Sequence, residues 1–348
     1  MQRIHLAPTP DDTRLPEAER WLATLDGRWT SIEPASADAS FRRYFRVRDG
    51  NGATAIVMDA PPPKEDVRPF LNVGRLLASG NIQVPGVLAA DEARGLLLLT
   101  DLGETTYLNA LTAADAATRA SLFHDAIAAL VALQQIDPAA AHTALGRYDA
   151  ALLRREIDLF PEWYLGRHCA LELGDDEKNA LERIYGLLIA SALAQPSVLV
   201  HRDYMPRNLM RTSNGNPGVL DHQDAVVGPM TYDLASLMRD AFFTLEEPEI
   251  LDYVARYWAA ARKAGLPVRE DFAEFYRELE WMAAQRHLKV LGIFARINYR
   301  DGKPHYLADT PRFIGYVRHA ARRYQALAPL GALCDRIEGV TAQTGYTF

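Results

Sequence analysis

Apolar residues change their spacing once along this chain. From Leu15 to Leu25, Trp21, Leu22 and Leu25 fall on one helical face behind Pro16, a residue suited to a helix start. Trp29 to Glu33 reads as a strand. The small-residue run Pro34-Ala-Ser-Ala-Asp-Ala-Ser40 predicts a loop, and alternation from Tyr44 to Val47 predicts the next strand. Asp49-Gly-Asn-Gly52 is a tight-turn signal leading into a strand over Ala53–Met58. Pro61-Pro-Pro63 ends that strand, because proline has no N–H to give a ladder. A helix near Pro69–Ala78 and strands at Val84–Ala89 and Leu96–Leu99 complete a sheet-rich lobe over residues 1–100.

After Asp101-Leu-Gly103 the period becomes helical. Ala113–Ile136 carries Leu122, Ile127, Leu130, Val131 and Leu133 at helical spacing and ends at Asp137-Pro138. Helical patterns recur at Ala150–Leu165, Asp176–Ala194, Tyr232–Phe242, Ile250–Ala264, Asp271–Ile297 and Thr310–Leu327. Two short apolar runs, Val198–Val200 and Gly218–Leu220, interrupt them as strands. The expected class is α+β in two lobes, with residues 101–348 forming a larger helical lobe.

Composition narrows the function classes. Hydrophobic residues at 49% and charged residues at 24% are ordinary for a globular protein, against disorder or coiled coil. A net charge of −7 argues against nucleic acid, whose phosphates need many Lys and Arg. Cys169 and Cys334 lie in no metal or redox spacing, as expected of a reducing compartment. Met1–Asp12 lacks the apolar core of a signal peptide. Ala126–Leu133 is too short for a span, with His124 and Asp125 before it and Gln134 after. A cytoplasmic protein without a membrane partner is the expectation.

The chemistry concentrates in Val200-His-Arg-Asp-Tyr-Met-Pro-Arg-Asn-Leu-Met210, where a short strand delivers His201, Arg202 and Asp203 into a loop with Asn208 at a fixed distance. This matches H-R-D-x-x-x-x-N, in which the Asp orients a hydroxyl nucleophile and the Asn binds Mg²⁺. The turn Ser213-Asn-Gly-Asn216 then predicts a hairpin ending in Asp221, a hard carboxylate of the kind that holds Mg²⁺ on nucleotide phosphates. Asp233 opens a helix from which it can accept backbone N–H bonds of the catalytic loop. Asp and Asn also favour plain turns, but the joint spacing makes that reading poor. His222 reads as a packing residue, and Asp224 as either a supporting or a turn residue.

These segments, with Pro229-Met-Thr-Tyr-Asp-Leu-Ala235, resemble the aminoglycoside phosphotransferase family over roughly Ile32–Arg323, which implies a protein-kinase-like bilobal fold, ATP and Mg²⁺. Within it, Ser36-Ala-Asp-Ala-Ser-Phe-Arg-Arg-Tyr-Phe-Arg46, Met58-Asp-Ala-Pro61 and Leu220-Asp-His-Gln-Asp-Ala225 are similar to the bacterial anomeric sugar kinases of cell-wall recycling. Those enzymes phosphorylate N-acetylmuramate and N-acetylglucosamine at the anomeric hydroxyl. The resemblance implies Asp203 as catalytic base and Asn208 and Asp221 as Mg²⁺ ligands. It implies Ser36, Ala37, Asp38, Ala39, Ser40 and Phe41 as a cover over the ATP phosphates, and Thr100, Asp101 and Leu102 as the hinge that bonds adenine. Kinases usually carry a Lys on the third strand, but Met58 stands there. Arg43, Arg46 or Lys64, or else Mg²⁺ and backbone alone, would have to serve; an Arg of the second strand, Arg43, is the favoured reading.

For the amino-sugar substrate, Arg286, Lys289 and Arg296 lie near one helix face that suits a lactyl carboxylate, and a solvated face is the plainer reading. Glu162, Trp163 and Tyr164 offer sugar-pocket chemistry or ordinary packing. Other acceptors remain open: an aminoglycoside, an amino alcohol or another hexosamine. So does a non-catalytic nucleotide-binding scaffold.

Overall fold

The computed structural model describes residues 14–25, 28–37 and 41–340. Five antiparallel strands come first: β1 (Trp29–Ala37), β2 (Arg43–Asp49), β3 (Thr54–Asp59), β4 (Val87–Asp91) and β5 (Leu96–Thr100), in the order β1-β2-β3-β5-β4. Both faces of this sheet are covered, so β5 reads as an unbroken apolar run rather than an alternation. On one face Phe45, Val47, Ala55, Val57, Leu96 and Leu98 pack on Ala18, Trp21 and Leu22 of α1 (Arg14–Leu25). On the other, Met58, Leu97 and Leu99 meet Val67, Phe70 and Leu71 at α2 (Arg68–Ser79). The β2–β3 turn forms as expected, with the Gly52 N–H donating to the Asp49 carbonyl at 3.1 Å and Gly52 left-handed at φ 86°.

Helix α2 also faces the other way. Its Val73, Leu76 and Leu77 join the largest apolar cluster, with Phe123, Ile127 and Leu130 of α4 (Ala116–Gln134) and with Leu209 and Val219 further along the chain. The helical part continues through α3 (Tyr107–Thr112), α5 (Ala150–Ile157), α6 (Asp175–Leu193), α7 (Tyr232–Met238), α8 (Glu247–Lys263), α9 (Phe272–Asp301), α10 (Thr310–Arg323) and α11 (Ala328–Ile337). Helix α9 is buried along most of its 30 residues and packs against α6, α7 and α10. Short strands complete the fold. β6 (Gly146–Arg147), β7 (Ser197–Val200) and β10 (Val226–Pro229) form one small sheet, and β8 (Leu209–Met210) pairs with β9 (Gly218–Val219). The architecture is α+β and bilobal.

Several boundaries differ from expectation for identifiable reasons. Pro34–Ala37 extends β1 rather than forming loop, because register shifts in its pairing with β2 accommodate Pro34. Asp38, Ala39 and Ser40 lie outside the described residues. The helix expected from Ala113 begins at Ala116, where the Asp115 carboxylate caps the Thr118 N–H at 2.7 Å. The one expected over Ala150–Leu165 stops at Ile157 and gives way to a π-helical segment, Phe160–His168, with Pro161 at its start. The run Ala126–Leu133, expected to be too short for a membrane span, lies within α4, which is long and apolar enough to cross one by length and composition. Leu122, Phe123, Ile127, Leu130 and Leu133 of that helix nevertheless lie in the core.

Candidate active site

Strand β7 ends at Val200, paired with Val226 of β10, and the chain turns sharply into the loop that holds Asp203. Two amides at that turn are gripped by one buried carboxylate: Asp233 accepts from the His201 N–H at 2.6 Å and the Arg202 N–H at 2.9 Å. Burial pushes the Asp233 carboxyl up to about 7, although both amides pull it down. Arg202 is left-handed at φ 77°, a conformation costing a non-glycine residue about 1–3 kcal/mol. His201 is buried, its ring 3.3 Å from the Asp203 N–H, and burial lowers it to about 4, so it stays neutral and structural. Asp203 itself projects into a cavity, and its carboxylate makes no hydrogen bond among the described residues.

The β8–β9 hairpin brings the other two oxygen donors together. Leu209 pairs with Val219, and the Leu220 N–H donates to the Asn208 carbonyl at 2.9 Å, so Asn208 and Asp221 flank the same end of the ladder. Asn208 donates its side-chain N–H to the Asp203 carbonyl at 2.9 Å, which spares its amide oxygen as an acceptor. Asp221 is left-handed at φ 59°. Its Oδ1 accepts from Arg42 at 3.2 Å and from Gln223 at 2.9 Å. Carboxylate and amide oxygens are the hard donors Mg²⁺ takes, so this pair fits that ion. His222 packs on Phe70 with ring centroids 4.4 Å apart and meets its carbonyl at 3.1 Å, and burial lowers it to about 3. It is a packing residue that ties the loop to α2.

Two cavities meet at these residues. One, of about 390 Å³, lies under the sheet, with Ala35, Ile56 and Leu99 on its roof and Thr100, Asp101 and Leu102 on its wall. The other, of about 440 Å³, lies among the helices and includes Asp203, Glu156, Tyr232, Arg286, Lys289 and Arg296. Arg207, Asn208 and Asp221 line both.

The structure rearranges several expected roles. Arg43 is on the wrong face for the sheet-side cavity. Phe45 and Val47 set its parity toward α1, and it binds Asp59 there, as does Arg14. Arg46 pairs with both oxygens of Asp101, at 2.6 and 3.0 Å. Burial works to raise Asp101, but Arg46 and the Gly103 N–H outweigh it and hold the carboxyl below its usual range. Lys64 lies 4.5 Å over the Phe41 ring. Phe41 is exposed at 59% and lines neither cavity, its N–H donating to Glu65. Met58 is buried in the sheet core. The cation that reaches the Asp221 carboxylate is Arg42, which the sequence reading passed over. Strand alternation was the available signal, since a position opposite in parity to Arg43 faces the cleft.

Glu162, Trp163 and Tyr164 do not reach the helical cavity. Tyr164 stacks on Phe160 in the core, Trp163 lies under Arg167, and Glu162 is exposed. Sequence reasoning also missed Glu156, which lies behind Asp203 and binds Arg202 at 2.6 Å, Lys289 at 2.9 Å and the Tyr148 hydroxyl. Burial would raise Glu156, but Lys289 and Arg202 outweigh it and keep it ionised. Nothing in its helical setting, Arg154-Arg-Glu-Ile157, marks it.

Comparison with known proteins points one way. Residues 31–270 match the family model described as "Phosphotransferase enzyme family". The chain is 49% identical over 338 residues to an N-acetylmuramate/N-acetylglucosamine kinase of Pseudomonas putida, covering 94% of this chain and 97% of that one. It is 48% identical to one of the same name from Neisseria meningitidis, covering 95% and 98%. A crystal structure of a choline/ethanolamine kinase family protein from Mesorhizobium loti superposes with a TM-score of 0.59 at 17% identity, covering 91% and 99%, which shows a shared fold.

Proposed function

The chain belongs to the phosphotransferase enzyme family, and from that premise we propose that it is an ATP-dependent sugar kinase. It phosphorylates the anomeric hydroxyl of N-acetylmuramate and N-acetylglucosamine to give sugar 1-phosphates. The observation that carries this reading is the shared wall of the two cavities: Asn208, Asp221 and Arg207 face both, while Asp203 faces only the helical one. A nucleotide under the sheet and a sugar among the helices would meet at that wall.

Each residue then has a physical task. Thr100, Asp101 and Leu102 offer hinge backbone to adenine, and Ala35 of β1 lies over the same cavity. Asn208 and Asp221 would hold Mg²⁺, which would offset negative charge on the nucleotide phosphates. Arg42 holds Asp221 in place from the sheet side. Asp203 orients the sugar hydroxyl and accepts its proton as the oxygen attacks in line. Lys289 and Arg286 form the floor of the sugar cavity. The names of the relatives supply the two sugars, and the cationic lining disfavours polycationic aminoglycosides. The cytoplasm, where ATP is available, is the proposed site of action.

Steady-state kinetics of Asp203→Ala test the assignment. The expected loss in kcat is about 10²–10⁴-fold with KM for ATP little changed. Thermal stability should hold, because the carboxylate bonds nothing else among the described residues. A variant turning over at the wild-type rate would end the assignment.

A further inference from the structure

The helical cavity is more basic than a chain of net charge −7 leads one to expect. Arg155, Arg202, Arg207, Arg286, Lys289 and Arg296 line it, against Glu156, Asp203, Asp221 and Asp224. Most of these cations have evident tasks. Arg202 and Lys289 share Glu156. Arg207 sits where the cavities meet, over the Phe242 ring. Arg286 is buried within the field of Asp233 and Asp240.

Arg155 on α5 and Arg296 on α9 remain; like Arg207 and Arg286 they make no ion pair among the described residues, and they lack the aromatic or buried-carboxylate setting of those two. Arg296 is the more telling. Its Nε is buried without a hydrogen-bond partner. Burial, and Arg300 one turn further along, hold its guanidinium below the ordinary value. Asp301 and Glu162 act against this without outweighing it, and Arg300 already binds the Asp301 carboxylate through two nitrogens at 2.7 and 2.9 Å. A planar guanidinium held this way gains most from a ligand that presents two oxygens side by side.

Position along α9 says which part of a ligand that is. Lys289 lies within the field of Asp203, and Arg296 is seven residues further on, about 10 Å along the helix. That separation suits a hexose ring plus one ether arm. The two proposed sugars differ in that arm: N-acetylmuramate carries a lactyl carboxylate on O3 where N-acetylglucosamine has a hydroxyl. Resting on the sugar-kinase reading, we infer that Arg296, assisted by Arg155, receives the lactyl carboxylate and sets the preference between the two sugars.

Purified full-length wild type and Arg296→Gln should be compared on both sugars, with the wild type also given the methyl ester of N-acetylmuramate. The expected result is a fall of about 10- to 100-fold in kcat/KM for N-acetylmuramate in the variant, with N-acetylglucosamine within about twofold and KM for ATP unchanged. The wild type should show a similar loss on the methyl ester, which needs no substitution and so cannot reflect misfolding. An equal fall on both sugars, or full activity of wild type on the ester, overturns the inference and leaves the kinase reading standing. Wild type that phosphorylates neither sugar overturns that reading and the inference with it.

Discussion

That Asp203, Asn208 and Asp221 converge on one cavity was legible from spacing, because the proposed transfer would need one loop to present a base and a metal ligand together and one hairpin to return a carboxylate to them. Asp233 was legible for the same reason, since a turn this sharp needs its amides satisfied. Arg42 was not, because two adjacent arginines look alike until the buried partners of Phe45 and Val47 fix which one faces the cleft. Glu156 was not either, because its task is set by Arg202 and Lys289, both far away in sequence. Arg42 gives a prediction at this scale. Arg42→Gln leaves Asp221 without its charged partner from the sheet side, and kcat/KM for MgATP should fall by about tenfold or more. Kinetics with varied Mg²⁺ check it, and an unchanged dependence would remove Arg42 from the site.

Among the elements, α9 couples packing to chemistry. The long apolar and basic pattern from Asp271 announced a helix, but not that its polar residues would be buried. His287 is one of them, packed on Phe313 and Tyr316. Burial, with Arg286 and Arg239 beside it, keeps its imidazole neutral far below the ordinary value of 6.5. Below about pH 6.5 the unfolded chain therefore binds a proton that the folded chain refuses, and wild type loses stability as pH falls. His287→Phe should gain on wild type by up to about 1.4 kcal/mol per pH unit below that point, read from urea melts at several pH values. A difference that is flat with pH would show that the folded site accepts the proton. Gly292 is a second such position. A Cβ there would lie 2.5 Å from the Leu159 carbonyl oxygen, at the junction of α5 and the π-helical segment. Gly292→Ala should cost about 1–3 kcal/mol in a denaturant titration and raise KM for the sugar, because Leu159 lines its cavity. Wild-type stability in that variant would mean the backbone yields freely.

For the whole molecule, two periodicities in one sequence gave the bilobal class, because a sheet covered on both faces and a bundle of buried helices write different patterns. The relation of the lobes was less legible. Helix α2 serves two cores at once, with Phe70 and Leu71 toward the sheet and Val73, Leu76 and Leu77 toward the helices. The spacing of its apolar residues marks both sides for burial without saying which partner each side meets. The consequence is a cleft whose two cavities share Asn208 and Asp221.

Phosphorus NMR of the product answers whether phosphate crosses from one cavity to the other at an anomeric oxygen. The full-length chain is incubated with MgATP and N-acetylmuramate, and separately with N-acetylglucosamine. A phosphomonoester resonance split by the anomeric proton, growing as ADP appears, is the expected spectrum. A phosphate on any other sugar carbon, or inorganic phosphate alone, would contradict the assignment.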